Sequence, residues 1–190
     1  MRNLPRSGLL ALLALGWLAA CHESPPPFRS TALPGTDWGQ DFTLTSHRGG
    51  RFDTASLRGK VQVLFFGFTH CPDICAPTLA KLAQVSKLLG DDGQRVQVLF
   101  VTVDPDHDTP KQLAKFLPAF DASFIGLTGK AGELMAVARE HKIYAEGSEG
   151  TIVHSGNLLV KDMQGKLRLV IPESATVEDI VHDLRLLLRG

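Results

Sequence analysis

The sequence predicts an α/β fold in which a central mixed sheet is covered on both faces by helices. Residues 61–68 and 96–103 are near-continuous runs of Val, Leu and Phe, the pattern of strands buried on both sides. Each run is followed by apolar residues at helical spacing: Leu79, Leu82, Val85 and Leu89 after the first, and Leu113, Phe116, Leu117 and Phe120 after the second. The chain closes with two short apolar segments around a turn and then an amphipathic stripe. Strand and helix in alternation, then a hairpin and a helix, is a mixed α/β order.

Taken in order, residues 41–45 alternate apolar and polar before Gly49-Gly50, so a short strand and a turn open the domain. The strand over 61–68 runs into two cysteines, and the helix after it closes at Asp91-Asp92-Gly93. Thr109-Pro110-Lys111-Gln112 combines a hydroxyl cap, proline at the first helical position and glutamine three residues after the cap, so a helix starts there. Residues 124–127 supply a third short strand, followed by a helix with Ala131, Leu134, Met135 and Ala138 on one side. Periodicity lapses over 143–150, which reads as a loop. Segments 158–160 and 167–171, separated by a turn with Gly165, read as a late antiparallel hairpin. Val177, Ile180, Val181, Leu184, Leu187 and Leu188 form the stripe of the last helix. No internal repeat is visible.

Composition excludes several classes of function. Lys plus Arg and Asp plus Glu are equal at 20 each in 190 residues, so no basic surplus exists to hold a nucleic-acid backbone. No apolar run reaches the roughly 18 residues of a spanning helix. The start of the chain has another use. Arg2 and Arg6 precede an apolar stretch over 9–20, the layout of a bacterial export signal. It runs into Leu18-Ala19-Ala20-Cys21, which resembles a lipobox, so Cys21 is the expected lipidation site. His22-Glu23-Ser24-Pro25-Pro26-Pro27 follows, polar and proline-rich like a stiff tether. The expected organisation is a signal peptide over 1–20, a lipidated cysteine and tether over 21–39, and one folded domain over 40–190. The protein would be exported and anchored by lipid to a membrane, facing the periplasm.

Of three cysteines, lipid would consume Cys21, leaving Cys71 and Cys75 in a disulfide-permissive compartment. A bridge between residues so close in sequence closes almost no loop and adds little stability, so chemistry explains the pair better than stapling does. Both lie where a buried strand meets the next helix, the end of an open α/β sheet that usually carries reactive groups. There the helix dipole favours thiolate, the form that attacks disulfides and binds metals. The spacing suits a disulfide or two sulfurs on one ion. Two cysteines are too few for a closed zinc site. Soft thiolates with one imidazole suit copper, and His154 lies in an irregular, glycine-flanked stretch, although a loop histidine is ordinarily just solvated. His70 is assigned a supporting role, because strand alternation points it away from Cys71. Asp104 and Asp108 fit a strand-end turn and a helix start as well as they fit a direct role.

These residues resemble a known family. Phe68-Thr69-His70-Cys71-Pro72-Asp73-Ile74-Cys75, Thr102-Val103-Asp104-Pro105 with Asp108-Thr109-Pro110, Phe124-Ile125-Gly126-Leu127-Thr128-Gly129 and His154-Ser155 look like the successive signatures of the Sco/SenC copper proteins. The resemblance implies a thioredoxin-like fold and one copper ion, Cu(I) or Cu(II), on Cys71, Cys75 and His154. It implies a role in building the copper A centre of cytochrome c oxidase. The partners would be the copper A subunit, other copper chaperones, a thiol reductant and, through the lipid, a membrane. Two positions depart from the family pattern: Ala76 precedes Pro77 where proline usually follows the second cysteine directly, and Val153 stands where Asp commonly precedes the histidine. The competing reading is a thiol-disulfide reductase with Cys71 and Cys75 as its redox pair. Thioredoxin-type catalysts have two residues between their cysteines, and three stand between these. A peroxiredoxin is disfavoured because Leu64 and Phe68 occupy the places of that family's proline and threonine.

Overall fold

A computed structural model describes residues 28–143, 146–148, 151–153 and 156–189. The segment expected to be a signal peptide, Cys21 and His154 lie outside the described residues. In chain order the elements are β1 (Thr31–Ala32), β2 (Thr43–Ser46), β3 (Arg51–Asp53), β4 (Val61–Gly67), α1 (Cys75–Leu89), β5 (Val96–Thr102), α2 (Pro110–Phe116) and β6 (Ile125–Thr128). There follow α3 (Ala131–Glu140), β7 (Glu146–Ser148), β8 (Thr151–Val153), β9 (Leu158–Lys161), β10 (Leu167–Ile171) and α4 (Val177–Arg189). One sheet has the order β1-β10-β9-β4-β5-β6-β2-β3. Within it β4, β5 and β6 are parallel neighbours, and the flanking pairings are antiparallel.

The two central strands read as unbroken apolar runs because both of their faces are buried. Val61, Val63 and Phe65 of β4, with Val98 and Phe100 of β5, pack with residues of α1, α2 and α4. Leu64, Phe66, Leu99 and Val101 point the other way, into a second core with Leu134 and Ala138 of α3. Each fully buried side chain of this kind contributes roughly 1.5–3 kcal/mol, so this strand pair fixes the sheet centre. The cysteine segment leaves from its carboxyl end.

Helix ends follow local chemistry. Thr109 Oγ1 accepts the Gln112 amide at 3.2 Å and caps α2. That helix stops at Phe116 and gives way to a 3-10 turn over Leu117–Ala119, because Pro118 has no amide to continue it. The Ala76-Pro77 departure does not displace α1, which begins at Cys75. Pro77 sits in the first turn, where amides lack intrahelical partners anyway. On α3 the apolar stripe is narrower than expected: Leu134 and Ala138 are buried, whereas Met135 is 52% exposed.

Three expectations need correction. The supposed loop over 143–150 contains β7, which pairs antiparallel with β8 through Glu146↔Val153; its Glu-Gly-Ser sequence carries no apolar alternation to reveal a strand. The late hairpin is an integral part of the main sheet and not an insertion, since β9 pairs with β4 and β10 with β9. The tether expected over 21–39 overlaps packed structure. The amides of Arg29 and Ser30 each donate at 2.9 Å to the buried Asp183, and β1 pairs with β10. Backbone hydrogen bonds to the sheet edge, invisible in a local pattern, place this segment on the domain. No described helix is long and apolar enough to cross a membrane.

Candidate metal centre at the carboxyl end of the sheet

β4 ends at Gly67, and the Val103 amide donates to its carbonyl at 2.9 Å. A Cβ on Gly67 would lie 2.8 Å from Cys75 Sγ and 3.1 Å from Phe100 Cε2. Glycine there lets the Cys75 thiol tuck against the strand. The chain then turns, with the Cys71 amide donating to the Phe68 carbonyl at 3.3 Å, and enters α1 at Cys75. Cys75 is 1% exposed, and Cys71 is half-buried. The two stand as a dithiol. Ile74, at the cap position, has no side-chain group closing the helix end, so the amides of the first turn remain available to the sulfurs.

The electrostatics differ between the two thiols. Burial pushes Cys71 up, but hydrogen bonds from the amides of Asp73, Cys75 and Ile74 and the Cys75 thiol outweigh it, so its pKa falls below the ordinary value. Burial pushes Cys75 up to about 12, with Cys71 and Asp108 adding to the rise against a hydrogen bond at Phe68. Cys71 is therefore the more acidic of the two sulfurs and Cys75 holds its proton more tightly, with a hydrogen bond between them. Such a pair can form a disulfide, or close on a soft metal ion that replaces the shared proton.

Asp108 fixes the loop that carries the pair. It is fully buried and accepts the Thr69 amide at 3.0 Å, the Thr69 hydroxyl at 2.5 Å and the Thr102 hydroxyl at 2.7 Å. Of the two readings left open for Asp108, the structure favours an indirect role. It ties the segment before Cys71 to the end of β5. Asp104 instead faces histidines: His70 Nε2 at 3.2 Å and His107 Nδ1 at 2.9 Å. The supporting role given to His70 is thus directed at Asp104. His107 was not singled out in the sequence; the available signal was Asp-x-x-His at a strand's carboxyl end. Cys71 and Cys75 are brought together as expected, while His154 and Cys21 lie outside the described residues.

The chain is similar to known proteins in sequence and in fold. A mitochondrial SCO2 homolog of Bos taurus is 44% identical over 119 residues, which cover 61% of this chain and 45% of that protein, so the chain spans less than half of its length. The structure of Bradyrhizobium japonicum ScoI with copper bound is 32% identical and superposes with a TM-score of 0.73, covering 80% of this chain and 99% of that one. BsSco, described as a member of the Sco family of cytochrome c oxidase assembly proteins with a disulfide switch, is 26% identical with a TM-score of 0.68, covering 80% of this chain and 94% of that one. The thioredoxin-like fold is that of these Sco structures. With the SCO1/SenC family model matching residues 30–189, which takes in the cysteine loop and the sheet that presents it, the chain belongs to the SCO1/SenC family.

Proposed function

We propose that this chain binds one copper ion through Cys71, Cys75 and His154 and takes part in assembling the copper A centre of cytochrome c oxidase. The observation that carries the proposal is the dithiol at the open first turn of α1, with Cys75 seated under Gly67. Two sulfurs on one turn match the soft donors that Cu(I) prefers, and an added imidazole suits the oxidised ion. Copper is the cargo here, passed to the copper A subunit and received from other copper chaperones. Lipid on Cys21 would hold the domain at the periplasmic side of a bacterial membrane, with the proline-rich segment as spacer. Mass spectrometry of the membrane-extracted chain should find an acylated amino-terminal Cys21.

The test is copper titration of the reduced and the oxidised chain in parallel. The reduced chain should bind one equivalent. The disulfide form should bind none at the thiols, because both sulfurs are covalently used. Cys71→Ser and Cys75→Ser should each abolish tight Cu(I) binding, and His154→Ala should lose mainly Cu(II). Tight Cu(I) binding that survives loss of both thiols would overturn the assignment.

The asymmetry of the thiols supports a second reading, a reductase for the acceptor's cysteines. Cys71 thiolate would attack an acceptor disulfide and release one acceptor thiolate. Cys75 would then give up its proton, attack the mixed disulfide and free the second thiol, leaving Cys71 and Cys75 joined. An exported dithiol needs a thiol reductant to reset it. Alkylation kinetics check the polarity: Cys71 should be modified well before Cys75. Equal rates would remove this reading.

A further inference from the structure

The same end of the sheet carries a second donor set made without sulfur. His70 lies just beyond β4, and Asp104 and His107 lie in the turn between β5 and α2. His70 Nε2 and His107 Nδ1 stand 3.2 and 2.9 Å from the same oxygen, Asp104 Oδ2. One ligand atom from each of the three residues lies within 4.8 Å of the other two. The imidazoles meet edge to face with centroids 4.7 Å apart, and Phe68 lies against His70 at 4.8 Å.

The backbone that carries the carboxylate is tied down and little exposed, while the imidazoles are open. Asp104 is 8% exposed; its amide donates to Thr102 Oγ1 at 3.0 Å, and its carbonyl accepts the Asp108 amide at 2.9 Å. The side chains of His70 and His107 are 48% and 70% exposed. Ligands about 2.1 Å from one ion and at right angles to each other stand about 3 Å apart, which is the spacing of each nitrogen from Asp104 Oδ2. Nitrogen and oxygen donors in this number leave positions for water on the solvent side.

We propose that His70, Asp104 and His107 form a second metal site for a divalent transition-metal ion, with Cu(II) the best fit. Imidazole and carboxylate donors suit Cu(II) in tetragonal coordination, and Cu(II) heads the divalent affinity order for such a site. Thiolates favour Cu(I), whereas this set contains no sulfur and keeps its fit to Cu(II) when the cysteines are replaced or joined in a disulfide. The inference does not depend on copper binding by Cys71 and Cys75.

The test is titration of Cu(II) salt, against a weak competing chelator, into the full chain purified in detergent and carrying Cys71→Ser with Cys75→Ser. Electron paramagnetic resonance should show a tetragonal Cu(II) centre with nitrogen couplings. Adding His107→Ala, or separately His70→Ala, should weaken binding at least tenfold and remove one nitrogen coupling, with circular dichroism unchanged. The wild-type chain oxidised to its disulfide supplies the same readout without replacing the cysteines. Unchanged affinity and spectrum in both histidine variants would overturn the site, as would failure of the oxidised chain to bind Cu(II). Either failure would leave Cu(I) binding by the reduced wild type intact, and loss of that Cu(I) binding would instead count against the thiol assignment alone.

Discussion

Asp41 and Asp104 each face two basic side chains, yet the two clusters serve opposite ends. At Asp41 each carboxylate oxygen has its own partner: Lys161 Nζ lies 3.0 Å from Oδ1, and Arg58 pairs with Oδ2. The Lys161 side chain is 0% exposed and donates also to the Gln40 carbonyl at 3.1 Å. At Asp104 one oxygen serves two histidines, both reaching into solvent. A closed cluster with a buried cation holds the outer segment of the chain onto the sheet. An open cluster with exposed imidazoles can exchange its hydrogen bonds for an ion. Burial and the division of lone pairs separate the two clusters.

The largest expected effect lies at the closed cluster. Asp41→Ala strands the Lys161 ammonium in the sheet without its counter-charge and should cost about 3–5 kcal/mol, read by denaturant unfolding. A loss below about 1 kcal/mol would erase the distinction between the clusters. Burial pushes the Asp41 carboxyl up, but hydrogen bonds from Arg58 and Lys161 outweigh it, and its pKa ends below the ordinary value. The folded carboxyl therefore holds its proton more weakly than the unfolded one. Its stabilisation is complete above the ordinary carboxylate range and is lost as pH falls through the lowered value. The acid loss of stability should be shallower in Asp41→Asn.

An intermediate effect is expected at Asp108, which shares the site loops with Asp104 but is closed like Asp41. Asp108→Ala leaves the Thr69 amide and the Thr102 hydroxyl without their acceptor and should cost about 2–3 kcal/mol. It should also speed alkylation of Cys75 by loosening the loop before it. Stability loss with unchanged thiol reactivity would show that Asp108 only braces the fold. The smallest effect belongs to the open cluster: metal-free His107→Ala should change stability by about 0.5 kcal/mol or less. A large loss would mean that this histidine braces the turn, sharpening the contrast in the other direction.

The legible parts of the fold were those with a local cause. The apolar runs that became β4 and β5 are continuous because parallel central strands bury both faces, and Thr109-Pro110 announced α2 through its own cap. The strand β7 was not legible, because Glu-Gly-Ser has no pattern and its pairing with β8 supplies the order. At the site, Cys71 and Cys75 stood out by residue type and spacing. Asp104 and Asp108 were seen but could not be told apart, since each suits a turn.

By itself the sequence determined the two buried strands, the helices that cover them and the dithiol at the sheet's carboxyl end, because side-chain period and short spacing act within one segment. Tertiary structure alone decided that residues 28–39 belong to the domain and that the hairpin joins the main sheet. It also decided that Asp108 grips Thr69 and that His70, Asp104 and His107 converge. Each of these outcomes depends on a hydrogen bond or close approach between groups distant along the chain, which no local pattern encodes.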